Sequence, residues 1–254
     1  MGLRRLTKNF FYRKKFNTKP IEIKKIINQN ILITGANSGF GLALTKKLLA
    51  CNNYVFATYR ERKENLLKIK NKDLKLIKCD NNNLSQIESI SDFSSKRPIN
   101  IIINNAGIWG QQNQSSLSEI NYEDFKNTIM INALSALKIT EIILKNKNKN
   151  SLKTIVNVSS IRGSITNNRS GDAYVYMTSK STLNAITKIM SIDLKTKHNI
   201  NTFCIDPGNI KTNLNVNGIL DPNICAANLV KILETSGAEI NGKFIDLLKN
   251  EIPW

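Results

Sequence analysis

Tyr176 and Lys180 stand four residues apart, a spacing that puts them one turn from each other on the same face of a helix. An ammonium in that position favours the ionised form of the phenol beside it, so the pair is an acid/base device. Ser160 closes the apolar run Ile155-Val156-Asn157-Val158-Ser159. From the end of a buried strand its hydroxyl can hold by hydrogen bond the oxygen to which Tyr176 passes a proton. A Tyr-x-x-x-Lys spacing occurs by chance in many helices, so its weight depends on the company it keeps.

That company begins at Thr34-Gly35-Ala36-Asn37-Ser38-Gly39-Phe40-Gly41, which follows the apolar run Ile31-Leu32-Ile33 and opens the helical pattern Leu42, Leu44, Leu48, Leu49. Strand, glycine-rich turn and helix N-terminus in that order set backbone N–H groups and the positive helix end against a pyrophosphate. Gly35 permits the tight turn, and Gly39 and Gly41 allow close approach of ligand and packing of helix on sheet. The expected ligand is a nicotinamide dinucleotide. Bringing the phenol from ~10 to about 7 takes roughly 4 kcal/mol at ~1.36 kcal/mol per pKa unit, which Lys180 and a cationic nicotinamide would supply together.

Charge decides between the two dinucleotides. An acid at the end of the second strand, about 20 residues past the glycine loop, would accept from a ribose 2′-hydroxyl. Here the strand Tyr54-Val55-Phe56-Ala57-Thr58 runs into Tyr59 and Arg60, and Arg60 can make charge-assisted bonds with a 2′-phosphate. NADP(H) is therefore expected over NAD(H), with Glu61 as the rival if the strand ends one residue later.

Together these residues carry a family likeness. The Thr-Gly-x-x-x-Gly-x-Gly loop, Asn104-Asn105-Ala106-Gly107 after a strand Ile99 to Ile103, the Ser160 and Tyr176/Lys180 set, and Pro207-Gly208 with Thr212 resemble the short-chain dehydrogenase/reductase family over nearly everything from Ile31 onward. Ser159-Ser160-Ile161-Arg162-Gly163-Ser164-Ile165 and the closing Gly242-Lys243-Phe244 and Ile252-Pro253-Trp254 are similar to its C-factor and sniffer-like carbonyl reductase branch. The resemblance implies a catalytic tetrad of Asn132, Ser160, Tyr176 and Lys180, with Asn132 interrupting a long helix to support a proton relay. Ser159 and Ser164 are rivals for the serine role; Gly163 sets the register that favours Ser160. It also implies a cofactor site made by Gly35, Asn37, Ser38, Gly39, Phe40, Gly41, Arg60, Asp80, Asn81, Asn105, Ala106, Gly107, Tyr176, Lys180, Pro207, Gly208, Ile210 and Thr212. Asp206 departs from the asparagine, histidine or small residue usual before that Pro-Gly.

The implied activity is interconversion of a carbonyl and a secondary alcohol by hydride transfer, with Tyr176 as acid/base. Two other readings are an NADP-sensing or signalling protein like C-factor, and a sugar-nucleotide-modifying relative. The last lacks both the Gly-x-x-Gly-x-x-Gly spacing and the extra length of a sugar domain. Trp109, Ile161, Ile210, Leu214 and Tyr174 are the expected lining of an open or modest substrate site. Monomer, homodimer and homotetramer remain open, the helices near 124–144 and 176–196 being the family's usual dimer surface.

These residues must be positioned by short apolar strands alternating with longer amphipathic stretches: strands near Ile31, Val55, Leu76, Ile101, Val156, Phe203 and Phe244, helices near Leu42, 124–144, 176–196 and 223–233. This alternation predicts an α/β fold with a single Rossmann-type, doubly wound parallel sheet, helices on both faces and ligands at the carboxyl ends of the strands. The 254 residues suffice for one such domain over 30–254, preceded by a basic extension over 1–29.

The net charge of +18, from 37 lysines and arginines against 19 aspartates and glutamates, has three readings. It can draw nucleic acid or an anionic membrane surface, it can belong to an organelle presequence, or it can reflect general lysine- and asparagine-rich usage. The lysines at 145, 147, 149 and 153 have no interleaved aromatics, so base stacking is not indicated and nucleic acid is not an expected partner. Cys51, Cys79, Cys204 and Cys225 lack metal-ligand spacing and His198 is the only histidine, which excludes histidine triads and most zinc sites. No metal is expected. No uninterrupted apolar run reaches ~18 residues, so a membrane span is not expected. The expected location is cytoplasmic, with an organelle matrix or a membrane surface touched by the basic N-terminus as alternatives.

Overall fold

Ile31, Leu32 and Ile33 are all without exposure, which side chains alternating across a strand achieve only if both faces of the sheet are covered. In the computed structural model, which describes residues 26–110, 117–146 and 151–254, Ile31 and Ile33 join one core and Leu32 the other. Ile101, Ile102 and Ile103 divide the same way. The strands are β1 (Asn30–Ile33), β2 (Tyr54–Tyr59), β3 (Leu74–Lys78), β4 (Ile101–Asn104), β5 (Thr154–Val158), β6 (Asn201–Asp206) and β7 (Phe244–Asp246). They form one seven-stranded sheet in the order β3-β2-β1-β4-β5-β6-β7, with every neighbouring pair parallel.

One face is covered by α1 (Gly39–Ala50) and α8 (Pro222–Thr235), whose Leu44, Leu48, Leu229 and Ile232 pack on Ile31, Ile103 and Phe203. The other is covered by α3 (Leu84–Glu88), α4 (Ile90–Lys96), α6 (Ser135–Lys145) and α7 (Tyr174–His198), through Ile87, Ile90, Ile139, Ile142, Met190 and Leu194. A further short helix, α2 (Glu64–Leu67), follows β2. The helix expected over 124–144 is α5 (Tyr122–Ile129) and α6 joined by a π-helical turn, Met130–Leu134, with Asn132 inside it. The helices at 64–67, 84–88 and 90–96 have no counterpart in the sequence reading.

The stretch Tyr122–Lys145 is long and apolar enough to cross a membrane by length and composition. Its apolar side is used within the fold, since Ile131, Ala133, Ala136, Ile139, Ile142 and Ile143 are buried. Residues 1–25, and with them most of the basic extension, lie outside the described residues, as do Lys147 and Lys149. Ile26, the first described residue, donates its N–H to Glu234 Oε1 at 3.0 Å.

Phe203 sits in the middle of β6 with no exposure, so truncating it leaves a cavity under α8. Phe203→Ala is expected to cost about 3–5 kcal/mol, read as a fall in the urea midpoint at unchanged slope. A loss under about 1 kcal/mol would show that this core is not packed as described.

Candidate active site

A parallel sheet delivers all its carboxyl ends to one edge, and the chain's polar motifs follow those ends. The first turn after β1 is tied to the turn after β4. Thr34 Oγ1 accepts from the N–H groups of Asn105 and Ala106, both at 2.9 Å, and Asn105 Nδ2 donates to Thr34 O and Gly35 O. Gly41 must lack a side chain, because a Cβ there would lie 2.4 Å from Gly35 O. Ser38 precedes α1 in an extended conformation and makes no side-chain cap, and the first turn of α1 carries no acid. Its N–H groups are therefore left for an outside acceptor.

Beside this turn lies a cleft of about 470 Å³, lined by Gly35, Asn37, Ser38, Gly39, Phe40 and Gly41 on one side and by Arg60, Asp80, Asn81, Ala106 and Gly107 on the other. β2 ends at Tyr59, one residue later than the sequence reading placed it, so Arg60 is the first residue beyond it and the rival Glu61 the second. Glu61 sits 3.6 Å from Arg60 Nε, with both side chains more than half exposed. Asp80 Oδ1 accepts from Asn82 N. Asn81 turns its amide into the fold, donating one hydrogen bond to Ser135 Oγ at 2.9 Å.

A larger cleft of about 1130 Å³ continues from the first, the two sharing Phe40, Asn105, Gly107, Thr212 and Leu214. Ser160, Tyr176 and Lys180 line it together with Pro207, Gly208, Ile210 and Thr212. Of the rival serines Ser164 does not line it, and Ser159 borders it with its hydroxyl already engaged. Ser159 is buried and donates to Asn184 Oδ1 at 2.6 Å, and Ser164 donates to Pro253 O. Asn132 is held inside its π turn by three bonds: Oδ1 accepts from Ile108 N, and Nδ2 donates to Ile108 O and to Ser179 Oγ. Its Oδ1 and Lys180 Nζ converge under Gly107, 3.3 and 3.4 Å from where a Cβ on that glycine would be.

The expected depression of the Tyr176 phenol is not produced by the protein groups alone. Burial pushes it up to about 12, Asp206 adds to this, and a hydrogen bond from Ser160 and the charge of Arg162 oppose it. Lys180 Nζ is 5.8 Å from the centre of the phenol ring and is engaged elsewhere, donating to Val158 O at 2.9 Å. Burial brings its own pKa down to about 8. The phenol is thus neutral at pH 7 and able to donate a proton.

Two expected lining residues lie elsewhere. Trp109 stacks on the Tyr176 ring, centroids 4.2 Å apart and planes 17° from parallel, rather than lining the cleft, and Tyr174 is not among the lining residues either. Ile161, Ile210 and Leu214 do line it. The cleft is roomier than the short 207–220 segment implied, because Asp246, Leu248, Asn250 and Ile252 build a second wall. Asp246 shapes that wall, accepting from Leu248 N, Asn250 N and Asn250 Nδ2.

The sequence model for short chain dehydrogenases matches residues 29–221. The chain belongs to that family of oxidoreductases. Among relatives in the family, C-signal of Myxococcus xanthus is 30% identical over 158 residues, 62% of this chain and 93% of that protein. The carbonyl reductase Sniffer of D. melanogaster superposes with a TM-score of 0.81 at 28% identity, covering 89% of this chain and all of that one. A short chain dehydrogenase of Burkholderia cenocepacia in complex with NADP gives 0.73 at 21% identity, over 87% and 97% of the two chains, a likeness of fold alone.

Asp206 stands at the end of β6, directly before Pro207-Gly208. Its buried carboxyl is pushed up to about 6, chiefly by burial and further by Asp246, against hydrogen bonds from the backbone of Gly208 and Ile161. A carboxyl whose pKa is higher folded than unfolded contributes stability that is complete below its unfolded value, 3.8, and is lost as pH rises through its folded one. Relative to Asp206→Asn, which does not titrate, the wild type should lose about 3 kcal/mol across that window at ~1.36 kcal/mol per pKa unit. Urea denaturation of both proteins between pH 4 and pH 7 checks this, and a pH-independent difference would contradict it.

Proposed function

We propose that the chain is an NADP(H)-dependent oxidoreductase that interconverts a carbonyl and a secondary alcohol. The observation that carries this reading is the meeting of the Tyr176 phenol and the Ser160 hydroxyl in the larger cleft, which adjoins the glycine-rich one through Asn105, Gly107 and Thr212. The residues present fit a dinucleotide. Uncapped N–H groups of the Asn37–Gly41 turn would take the pyrophosphate, and Asp80 and Asn81, which line the same cleft, would hold the adenine. Asn105, Ala106, Gly107 and Lys180 would hold the ribose next to the reacting ring, with Pro207, Gly208, Ile210 and Thr212 behind that ring. When bound, the nicotinamide supplies or accepts the hydride.

The chain's own groups do the rest. Ser160 Oγ holds the substrate oxygen and Tyr176 Oη gives it a proton during reduction or takes one during oxidation. Lys180 supplies positive charge beneath the site, and Asn132 fixes the turn that carries Gly107 and Ile108 over the lysine. A neutral phenol at pH 7 suits the reducing direction. Preference for the 2′-phosphorylated cofactor rests on Arg60, the first residue past β2, with no acid at the strand end. Its exposed pairing with Glu61 is worth at most about 1 kcal/mol, less than the ~1.5–3 kcal/mol of charge-assisted bonds to a phosphate.

Tyr176→Phe is expected to leave the NADPH dissociation constant nearly unchanged and to cut reduction of a panel of alkyl and aryl aldehydes and ketones by at least about 100-fold. Arg60→Ala should lower NADPH affinity about 10- to 100-fold and leave NADH affinity alone. Turnover retained in Tyr176→Phe would remove the proposed acid. Failure of the wild type to bind either nucleotide would remove the enzyme reading.

A further inference from the structure

The Tyr176 ring is backed by a ladder of side chains that the reaction itself does not require. Trp109, from the segment after β4, lies flat on the phenol at 4.2 Å. The Arg162 guanidinium, from the turn after Ser160, stands 5.6 Å from the Trp109 ring, inside the range at which a cation and an indole face attract. Arg162 Nη1 donates to Asp172 Oδ1 at 2.9 Å, and Ser170 Oγ donates to the same oxygen. Ion pair, cation over indole, and indole over phenol thus run in series from the surface to the proton donor. They join the three segments that carry Gly107, Ser160 and Tyr176.

An indole face is electron-rich, and stacked alone on a phenol it would resist the gathering of negative charge there. A guanidinium on the indole offsets that resistance, and its charge also acts directly on Tyr176. The other groups facing the phenol are Ser160, Lys180 on its own helix, and Asp206 at the end of β6. Asp246 acts on Asp206, and Asp172 faces Arg162. Arg162 and Asp206 pull in opposite directions, and Arg162 alone among these groups is coupled to the ring through a stacked neighbour.

We propose that Arg162 is a positioning residue for proton transfer, which clamps the Tyr176 ring through Trp109 and favours the charged phenolate. The inference rests on Tyr176 being the proton donor. The test uses the full chain carrying Trp254→Phe, which leaves Trp109 as the only tryptophan. NADP⁺ is the oxidant, and the substrate is the alcohol made from whichever carbonyl in the panel is reduced fastest. In the oxidising direction the rate rises as the phenol ionises, so the acid limb of kcat/KM reports Tyr176.

Arg162→Gln is expected to move that limb up by about one pH unit, slowing oxidation about tenfold at neutral pH, and to weaken the near-ultraviolet circular dichroism of the Trp109–Tyr176 stack. Arg162→Lys should restore most of both, and Asp206→Asn should move the limb down. An Arg162→Gln limb that stays in place overturns the proposal, even if the rate falls, because loss of packing alone lowers the rate without moving the limb. An unchanged dichroism overturns it as well. A wild type that turns over no member of the panel removes the Tyr176 reading first, and is recognised before any Arg162 variant is made.

Discussion

A buried ammonium is costly to a folded chain, by several kcal/mol before compensation, and Lys180 is only 4% exposed. Much of the architecture around it is what makes that burial tolerable. The carbonyl of Val158, the last residue of β5, accepts from Nζ, so a central strand must end one helix-width from α7. Gly163 lets the next turn lie against the lysine's own backbone, where a Cβ would come within 2.9 Å. Asn132 requires the helix to open into a π turn so that its amide can face both Ile108 and Ser179. Each of these would be a defect in a protein that only had to fold, and together they leave one polarised spot under Gly107.

The phenol near that spot is governed by competition. Burial alone holds the Tyr176 phenol neutral, and Asp206 reinforces this, while Ser160 and Arg162 oppose it. Lys180, lowered by burial and turned toward a backbone carbonyl, is not the group that sets the phenol in the protein by itself. The one-turn spacing read from the sequence brings the two side chains together without fixing where the ammonium points. That direction is set by Val158, a residue whose role no spacing rule announces.

The fold was legible because a sheet buried on both faces writes itself as uninterrupted apolar runs. Ile31-Leu32-Ile33 and Ile101-Ile102-Ile103 needed no alternation to be read as strands. The three helices at 64–67, 84–88 and 90–96 were not legible, being too short to show a helical period. The glycine turn and the Ser160, Tyr176 and Lys180 set were legible as types and spacings. Ser159 and Ser160 were separable only by the likeness, since both stand just past the end of β5 and border the cleft, and the Asn184 amide that engages Ser159 lies 25 residues away in the chain. Trp109 and Asn81 illustrate a different limit. Both lie at the expected edge of the sheet, but the indole finds a phenol to stack on and the amide finds Ser135, partners 67 and 54 residues away. The wall from Asp246 to Ile252 was hidden for the same reason, because it gains its place from β6 lying next to β7 rather than from its own composition.

The position of the 207–220 segment binds these parts together. Ile210, Leu214 and Ile219 form a wall of the large cleft, and Thr212, in the middle of that wall, rests on the glycine turn, its methyl 2.8 Å from where a Cβ on Gly39 would be. Thr212 and Asn215 exchange backbone hydrogen bonds at 3.1 Å, and Gly218 permits the chain to fold back on Ile210, where any side chain would collide with the carbonyl. The segment is therefore a tight flap seated on the phosphate-type loop, and its seat leaves no slack at Gly39. Thr212 thereby ties the glycine turn to the wall of the large cleft. Geometry of this kind joins the two clefts, since Thr212 and Leu214 border both of them.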